Sequence, residues 1–470
     1  MSYRAVHFVG IGGVSMSALA EIALHHGLMV SGSDIRESAL TRRLEAMGAR
    51  VFAEHRAEHV AAAAPDLVVF TDAARADNPE VAEARRRGIP VRRRADYLGD
   101  LMDTYAGPRI CVAGTHGKTT TTAMLAEALL SAGLDPTVLV GGDYAPFCGT
   151  LRLGRTGVFV TEACEAFRSF HSLRPDVAIV TNIEPDHLDC YHDEAGVVQG
   201  FQTFVAGVRS GGALVIRAEG AAEQAVAARA AEAGLRVVRF GMDENASTEV
   251  WASDLRHGEG RSNYTPVMRG SAAPLDPVTL EVPGEHNVLN SLAVLAAATL
   301  CGASPAAAVE GLAQFRGVGR RFEVLGEREG VTVVDDYSHH PTEIRATIAA
   351  ARGTYPGRPI VAVFQPHLFS RTRDFLDDFG RALAGADALI LTGIYAAREE
   401  PIEGVTPTAL AARVAAAAPG MPLHVELSKA RVPALISRLA RAGDVVLILG
   451  AGDIREAGER YVAGYEEDGP

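Results

Sequence analysis

Along residues 1 to about 106, short apolar runs alternate with stretches of helical periodicity. HFVGIG precedes MSALAEIALHHG, MVSGSD precedes SALTRRLEAMG, and DLVVFTDA precedes a helix opening at Asn78 and Pro79. Asparagine at the cap takes up an orphan N–H, and proline in the first helical position has none to lose, so the pair marks a helix start. Strand-helix alternation of this kind predicts a parallel sheet with helices on both faces. DTYAGPR reads as a linker, after which RICVAGTHGKTTTTAMLAEALLSAG opens a second unit of the same type. Its later strands are GVFVTEA, DVAIVTNIE and GGALVIR, followed by a less regular region that ends in the helix GEHNVLNSLAVLAAATL. FRGVGRRFEVLGEREGVTVVDDY starts a third unit, with VTVVDDY, PIVAVFQPH, ALILTGIYAA and DVVLILGAGD as strands of another α/β sheet. Ligands of such sheets collect at the carboxyl ends of the strands, which is where the polar motifs below fall.

A chain of 470 residues is too long for one ordinary core, and three domains follow from the pattern. Hydrophobic residues are 48% and charged residues 22%, with no run long enough to span a membrane and no signal-peptide succession at the start. A cytoplasmic protein without membrane attachment is expected. The formal charge of −13 argues against nucleic-acid and anionic-lipid surfaces, although a local cluster can still hold a small anion. The five cysteines, at 111, 148, 164, 190 and 301, are odd in number and too widely spaced for a zinc pattern, so reduced thiols are expected. RRRGIPVRRR reads as a solvated helix end, with Arg94 able to turn toward an anionic ligand.

Two glycine turns carry most of the chemistry. In GTHGKTT, residues 114–120, a strand leads through a tight turn into a helix, so backbone N–H groups and the helix dipole converge on an anion. Gly114, Thr115, His116, Gly117, Lys118, Thr119 and Thr120 form the expected triphosphate cradle. Lys118 would reach the phosphates and the Thr119 hydroxyl magnesium. Val112 stands where the strict Walker pattern has its first glycine. The other turn, VGIGGVSMS, has the G-x-G of a dinucleotide site at Gly10 and Gly12, with Ser15 in place of the third glycine and Asp34 at the distance of a ribose-binding acid. Glu162 and Glu165 in TEACEAF, and Glu184, Asp186, His187 and Asp189 in TNIEPDHLD, end neighbouring strands and suit hard divalent cations bridging phosphates.

GTHGKTTTT, EACE, TNIEPDHLD, GEHNVLNSLA, GVGRRFE, DDYSHHPTE, FQPHLFSRTRDF and GAGDI, in this order and together with GIGGVSMSALAE and SGSD, resemble the Mur ligases over the whole chain. The resemblance implies an α/β fold of three domains: a UDP-sugar-binding Rossmann-like domain (1–106), a central P-loop-type ATPase sheet (107–317) and a C-terminal Rossmann-like domain for the amino acid (318–470). It implies ATP-driven addition of L-alanine to the lactyl carboxylate of UDP-N-acetylmuramate in peptidoglycan synthesis, through an acyl phosphate. By the same resemblance Thr119, Glu162 and His187 hold Mg2+, with Mn2+ as a substitute, and Asn287 and Asn290 meet adenine. Arg321 meets ATP phosphates, while Asp336 orients the amine and His339 helps it lose a proton. Arg371 and Arg373 take the amino-acid carboxylate and the transition state, in an order left open. Gly10, Gly12, Gly13, Ser15, Ser33, Asp34, Thr71 and Arg94 hold the UDP-sugar, so two cradles serve two nucleotides.

Departures and rivals bound this reading. Cys164 replaces an aspartate common in the family's EADES-like run and is expected to pack. No lysine follows TNIEPDHLD at the place where later-acting members carry a carbamylated one. A ligase that attaches an intact peptide to the same sugar shares most motifs. A nicotinamide-dependent oxidoreductase would explain GIGGVS and Asp34 while leaving GTHGKTT, Glu162 and His187 unused. Monomer and homodimer are both compatible with the sequence, as are alanine, serine and glycine as substrates.

Overall fold

A computed structural model describes residues 3–71, 74, 77–271 and 273–465, apart from the side chain of Asp189. Three α/β sheets are present among the described residues, and internal contacts divide the chain into two compact units. The first unit comprises Met1–Phe240, Ser247–Glu249 and Ala293–Ala308, the second Gly241–Ala246, Val250–Leu292 and Val309–Pro470.

In the first unit, the N-terminal sheet runs Arg50–Ala53, Met29–Asp34, Ala5–Val9, Leu67–Phe70, Val91–Arg93, all parallel. Alternation along Ala5–Val9 sends Val6 and Phe8 into one core and Val9 into another with Val60, Val68 and Val81. The predicted start at Asn78 is present: its side-chain oxygen accepts from the N–H groups of Glu80 (3.0 Å) and Val81 (3.2 Å), and Pro79 begins the helix Pro79–Arg86. A second sheet follows, ordered Arg236–Gly241, Ala213–Arg217, Val177–Val180, Arg109–Ala113, Phe159–Glu162, Thr137–Tyr144, Gly149–Arg152, parallel except for the last pair.

Between these sheets the sequence suggests a linker, yet one apolar core runs through both. Tyr97, Leu98, Leu101 and Met102 of the helix Arg94–Met102 belong to the same cluster as Phe8, Cys111, Phe159 and Phe170. Gly99 permits this contact, because a Cβ there would lie 2.3 Å from the carbonyl oxygen of Ser172. The Ser172 hydroxyl adds a hydrogen bond to Asp96 (2.6 Å).

In the second unit, six strands run Glu323–Arg328, Val331–Asp336, Val445–Leu449, Ile360–Phe364, Ala388–Leu391, Leu423–Val425. Only the first pair is antiparallel. The stretch read as less regular also contains antiparallel strands, Val250–Gly258, Arg261–Met268 and Val278–Leu280. Glu259 (φ 51°) and Gly260 (φ 75°) make the two-residue turn between the first two. Consecutive positive φ values give the primed turn that matches strand twist, and glutamate in its first position hid the usual Asn-Gly signal.

Candidate active site

The GTHGKTT turn is stitched to the end of the strand Val177–Val180. Thr115 donates its N–H to the Asn182 carbonyl (3.0 Å), Asn182 Oδ1 accepts from His116 N (2.9 Å), and Thr181 Oγ1 donates to the His116 carbonyl (2.6 Å). Gly114 has φ 133°, and a Cβ there would lie 2.0 Å from Thr181 Oγ1, so the turn can close only on glycine. Gly117 caps the helix Lys118–Ser131 in the left-handed region, and Thr119 and Thr120 are buried in its first turn.

Lys118 is paired within this turn. Its Nζ donates to both Glu165 oxygens (2.8 and 3.0 Å) and to the carbonyls of Gly114 (2.6 Å) and Thr115 (3.0 Å). Burial opposes the ammonium charge, but the Glu165 carboxylate outweighs it and holds Lys118 above its usual range. Glu162 also acts on this charge, and its Oε1 accepts from Gly141 N (2.5 Å). His187 caps the short helix Leu188–Tyr191 with φ 52°, its Nε2 3.8 Å from Glu165 and 3.9 Å from Asp186. Burial pushes the Cys164 thiol up to about 11, which suits the packing role expected of it, and Arg94 lies close enough to oppose that rise.

The other turn is held differently. The Ser33 carbonyl accepts the N–H groups of Gly10 (2.8 Å) and Ile11 (3.0 Å), and Asp34 accepts those of Gly12 (2.9 Å) and Arg36 (3.1 Å). Gly13 and Ser15 are exposed at the start of the helix Val14–His25, and a Cβ on Gly10 would press on Thr71 at 3.0 Å.

In the second unit, Arg320 and Arg321 both lie over the ring of Tyr337, at 4.8 and 5.0 Å. Glu343 accepts from the N–H groups of His339 (3.0 Å) and His340 (3.3 Å), closing a capping box on the helix Pro341–Thr354, and lies 3.8 Å from Arg321. His339 faces His367 edge-on at 5.8 Å, His367 stacks on Tyr395 at 5.5 Å, and Arg371 reaches His367 at 3.3 Å. Asn287 and Asn290 are buried in the first turns of the helix Glu285–Leu300, where Asn287 donates to the Pro283 carbonyl (2.7 Å) and accepts from Asn290 (3.4 Å).

Comparison with known proteins adds an independent line. Family models match in succession: Mur ligase family, catalytic domain, over residues 5–106; Mur ligase middle domain over 112–298; and Mur ligase, glutamate ligase domain, over 320–452. The chain belongs to the Mur ligase family. Among its relatives, the UDP-N-acetylmuramate--L-alanine ligase of Salinibacter ruber is 44% identical over 99% of this chain and 96% of its own. That of Aromatoleum aromaticum is 42% identical over 96% of each. The crystal structure of UDP-N-acetylmuramate-alanine ligase from Thermotoga maritima superposes with a TM-score of 0.80 at 30% identity, covering 98% of this chain and 99% of that one. A murein peptide ligase from Psychrobacter arcticus gives 0.72 at 27% identity, with 98% of each covered.

Within this Mur ligase, three of the side chains named from the sequence have partners in their own chain. The Ser33 hydroxyl is fully buried and bonded to Glu80 (2.5 Å) and His55 (2.8 Å) rather than presented to a ligand, because a buried carboxylate needs donors. Both Asp336 oxygens accept from their own chain, one from Phe322 N (2.8 Å) and the other from Ser338 N (2.9 Å), so the carboxylate staples the GVGRRF loop to the strand end. Arg373 is exposed and paired with Asp374 at 2.7 Å, while Arg371 is buried. Sequence reasoning missed Glu165 as the lysine's partner, Thr181 and Asn182 as the stitches of the turn, and His367, Tyr395 and Glu343 in the second unit. Strand-end positions in TNIE and FQPH are the signal that would have found several of them.

Proposed function

We propose that the chain joins L-alanine to the lactyl carboxylate of UDP-N-acetylmuramate at the expense of ATP, as a cytoplasmic enzyme of peptidoglycan precursor synthesis. The observation that carries this reading is the pair of separately built anion turns in the first unit, residues 10–13 and 114–118, each following a parallel-paired strand at its carboxyl end. A binding protein for one nucleotide needs one such turn. Relatives named for this reaction support the choice of substrates.

Carboxylates do not form amides in water because the oxygen leaves poorly and the anion repels nucleophiles. Attack of a carboxylate oxygen on the γ-phosphorus, with ADP leaving, gives an acyl phosphate. The amine lone pair then attacks the acyl carbon, the nitrogen loses a proton, and phosphate departs. Charge develops on the phosphoryl group and then on the oxyanion, so fixed cations matter more than a covalent nucleophile.

In the first unit, Lys118 and the amides of residues 114–120 would grip the triphosphate, with Glu165 keeping the lysine charged and aimed. Residues 10–13 and Asp34, with Thr71 and Arg94, would hold the UDP-sugar. The donor types fit magnesium: two carboxylates, Glu162 and Glu165, act on the one lysine of the turn, and the His187 imidazole lies 3.8 Å from Glu165. When bound there, through Thr119, Glu162 and His187, the ion would neutralise phosphate charge. In the second unit, Asn287 and Asn290 would meet adenine, and Arg321 the phosphates. Arg371 beside His367 would take the amino-acid carboxylate, and His339 the amine proton. These roles divide the chain as 1–106 for the sugar nucleotide, 107–317 for ATP and 318–470 for the amino acid.

The test is a substrate panel of alanine, serine, glycine and an intact stem peptide with purified protein, ATP and UDP-N-acetylmuramate, scoring phosphate and product mass. Phosphate release that requires both co-substrates, with a product heavier by one alanine residue, is expected. Preference for the intact peptide, or a nicotinamide-dependent reaction without phosphate release, would overturn the reading.

A further inference from the structure

The helix Pro79–Arg86 brings Glu80 into the interior of the N-terminal sheet, where it is fully buried. His7 projects from the strand Ala5–Val9, also fully buried, and its Nε2 lies 3.2 Å from Glu80 Oε1. His59 Nδ1, from the helix Ala57–Ala63, meets the same oxygen at 3.0 Å. The second oxygen takes the Ser33 hydroxyl at 2.5 Å and His55 Nδ1 at 3.0 Å. His7 Nδ1 is held in turn by Ser31 Oγ at 2.9 Å, and the His59 ring stacks on Phe52 at 4.4 Å. A carboxylate only accepts, so each ring presents an N–H to Glu80 and its tautomer follows. Burial works against the Glu80 charge, and the His7, Ser33 and His55 contacts overcome it, leaving its pKa below the ordinary value.

Two of these groups sit on the chain segments that build the turn at residues 10–13. His7 lies three residues before Gly10, on the strand Ala5–Val9 that leads into the turn. Ser33 supplies the carbonyl that holds the N–H groups of Gly10 and Ile11, and the next residue, Asp34, holds Gly12. One carboxylate therefore ties together two neighbouring strands, at the middle of Ala5–Val9 and near the end of Met29–Asp34, the loop after a third and a helix. The spacing of those two strands sets where the amides of residues 10–13 point.

We propose that Glu80 is the positioning residue of the sugar-nucleotide cradle, fixing through His7 and Ser33 the separation of the turn at residues 10–13 from Asp34. The inference rests on the reading of that turn as the UDP-N-acetylmuramate site. Replacement by glutamine puts two N–H donors where two accepted hydrogen bonds stood, which forces the strands to readjust while the helix Pro79–Arg86 keeps its cap. ATP affinity depends on the other turn and is expected to stay unchanged.

The experiment compares wild type, Glu80→Gln, Glu80→Asp and Asp34→Asn in the full chain, by calorimetric titration of UDP-N-acetylmuramate and of ATP and by steady-state kinetics. Glu80→Gln should weaken sugar-nucleotide binding and raise its KM at least tenfold, with kcat at saturation and ATP affinity within twofold of wild type. Glu80→Asp should recover part of the loss. If Glu80→Gln fails to fold, Ser33→Ala, which removes only the hydroxyl link, should raise the same KM at least threefold. A sugar-nucleotide affinity within twofold of wild type in the folded variant, or an equal loss toward both nucleotides, overturns the proposal. If Asp34→Asn also leaves that affinity unchanged, the assignment of the cradle itself fails; if Asp34→Asn weakens it and Glu80→Gln does not, only the role of Glu80 is lost.

Discussion

Lys118→Met tests whether the lysine of the phosphate turn is structural as well as catalytic. From sequence alone, loss of Lys118 is expected to abolish turnover and spare the fold. The structure alters the second half, because the Glu165 carboxylate is 4% exposed and the lysine makes two contacts to it. Without Lys118, His187 at 3.8 Å is too far for a hydrogen bond, and the buried carboxylate is left without the cation that both its oxygens face. Removing one partner of a buried pair costs about 3–5 kcal/mol. Amide hydrogen exchange in Arg109–Ala113 and Val177–Val180 reads the local free energy where the loss falls. Adding Glu165→Gln to Lys118→Met should restore most of the stability and none of the activity. A deficit below about 1 kcal/mol at pH 7, or one that the second substitution leaves untouched, would refute this account of the pair.

Gly114→Ala should cost about 2–5 kcal/mol, combining an unfavourable φ with displacement of Thr181, and raise KM for ATP at least tenfold; urea unfolding and kinetics check both. Arg371→Lys should raise KM for alanine about tenfold or more, whereas Arg373→Lys should stay within twofold, in steady-state assays with alanine varied. Glu162→Gln should shift the magnesium concentration for half-maximal activity upward about tenfold, seen by titration at fixed ATP. Burial pushes Asp335 up to about 6 despite Arg320 and Arg455, so its native form holds a proton that the unfolded chain loses. Its contribution is present below about pH 4 and lost as pH rises through 6, worth about 3 kcal/mol across two units. Melting curves of wild type and Asp335→Asn should therefore diverge in the wild type's favour on acidification from pH 7 to 4.5.

The three sheets, both glycine turns and the caps at Asn78 were legible in the chain because each rests on local physics. Period-two and helical patterns assign strands and helices, glycine permits the turn conformations, and an asparagine before proline starts a helix with no help from distant residues. Ser33, Asp336 and Arg373 show where that reasoning stops. Residue type allows each of them to face a ligand, and only packing gives them their partners: a carboxylate buried by another helix for Ser33, the Phe322 N–H fourteen residues upstream for Asp336, and an adjacent aspartate for Arg373. The same holds for Lys118 and Glu165, separated by 47 positions, and for Glu80, which reads in the sequence as one more acid in a helix's first turn. Burial makes such charges depend on partners, and partners at long sequence separation are set by packing alone. Local residue patterns fix which chemistry the chain can host and on which strand ends; long-range packing selects which of the polar groups there are committed to holding the site together.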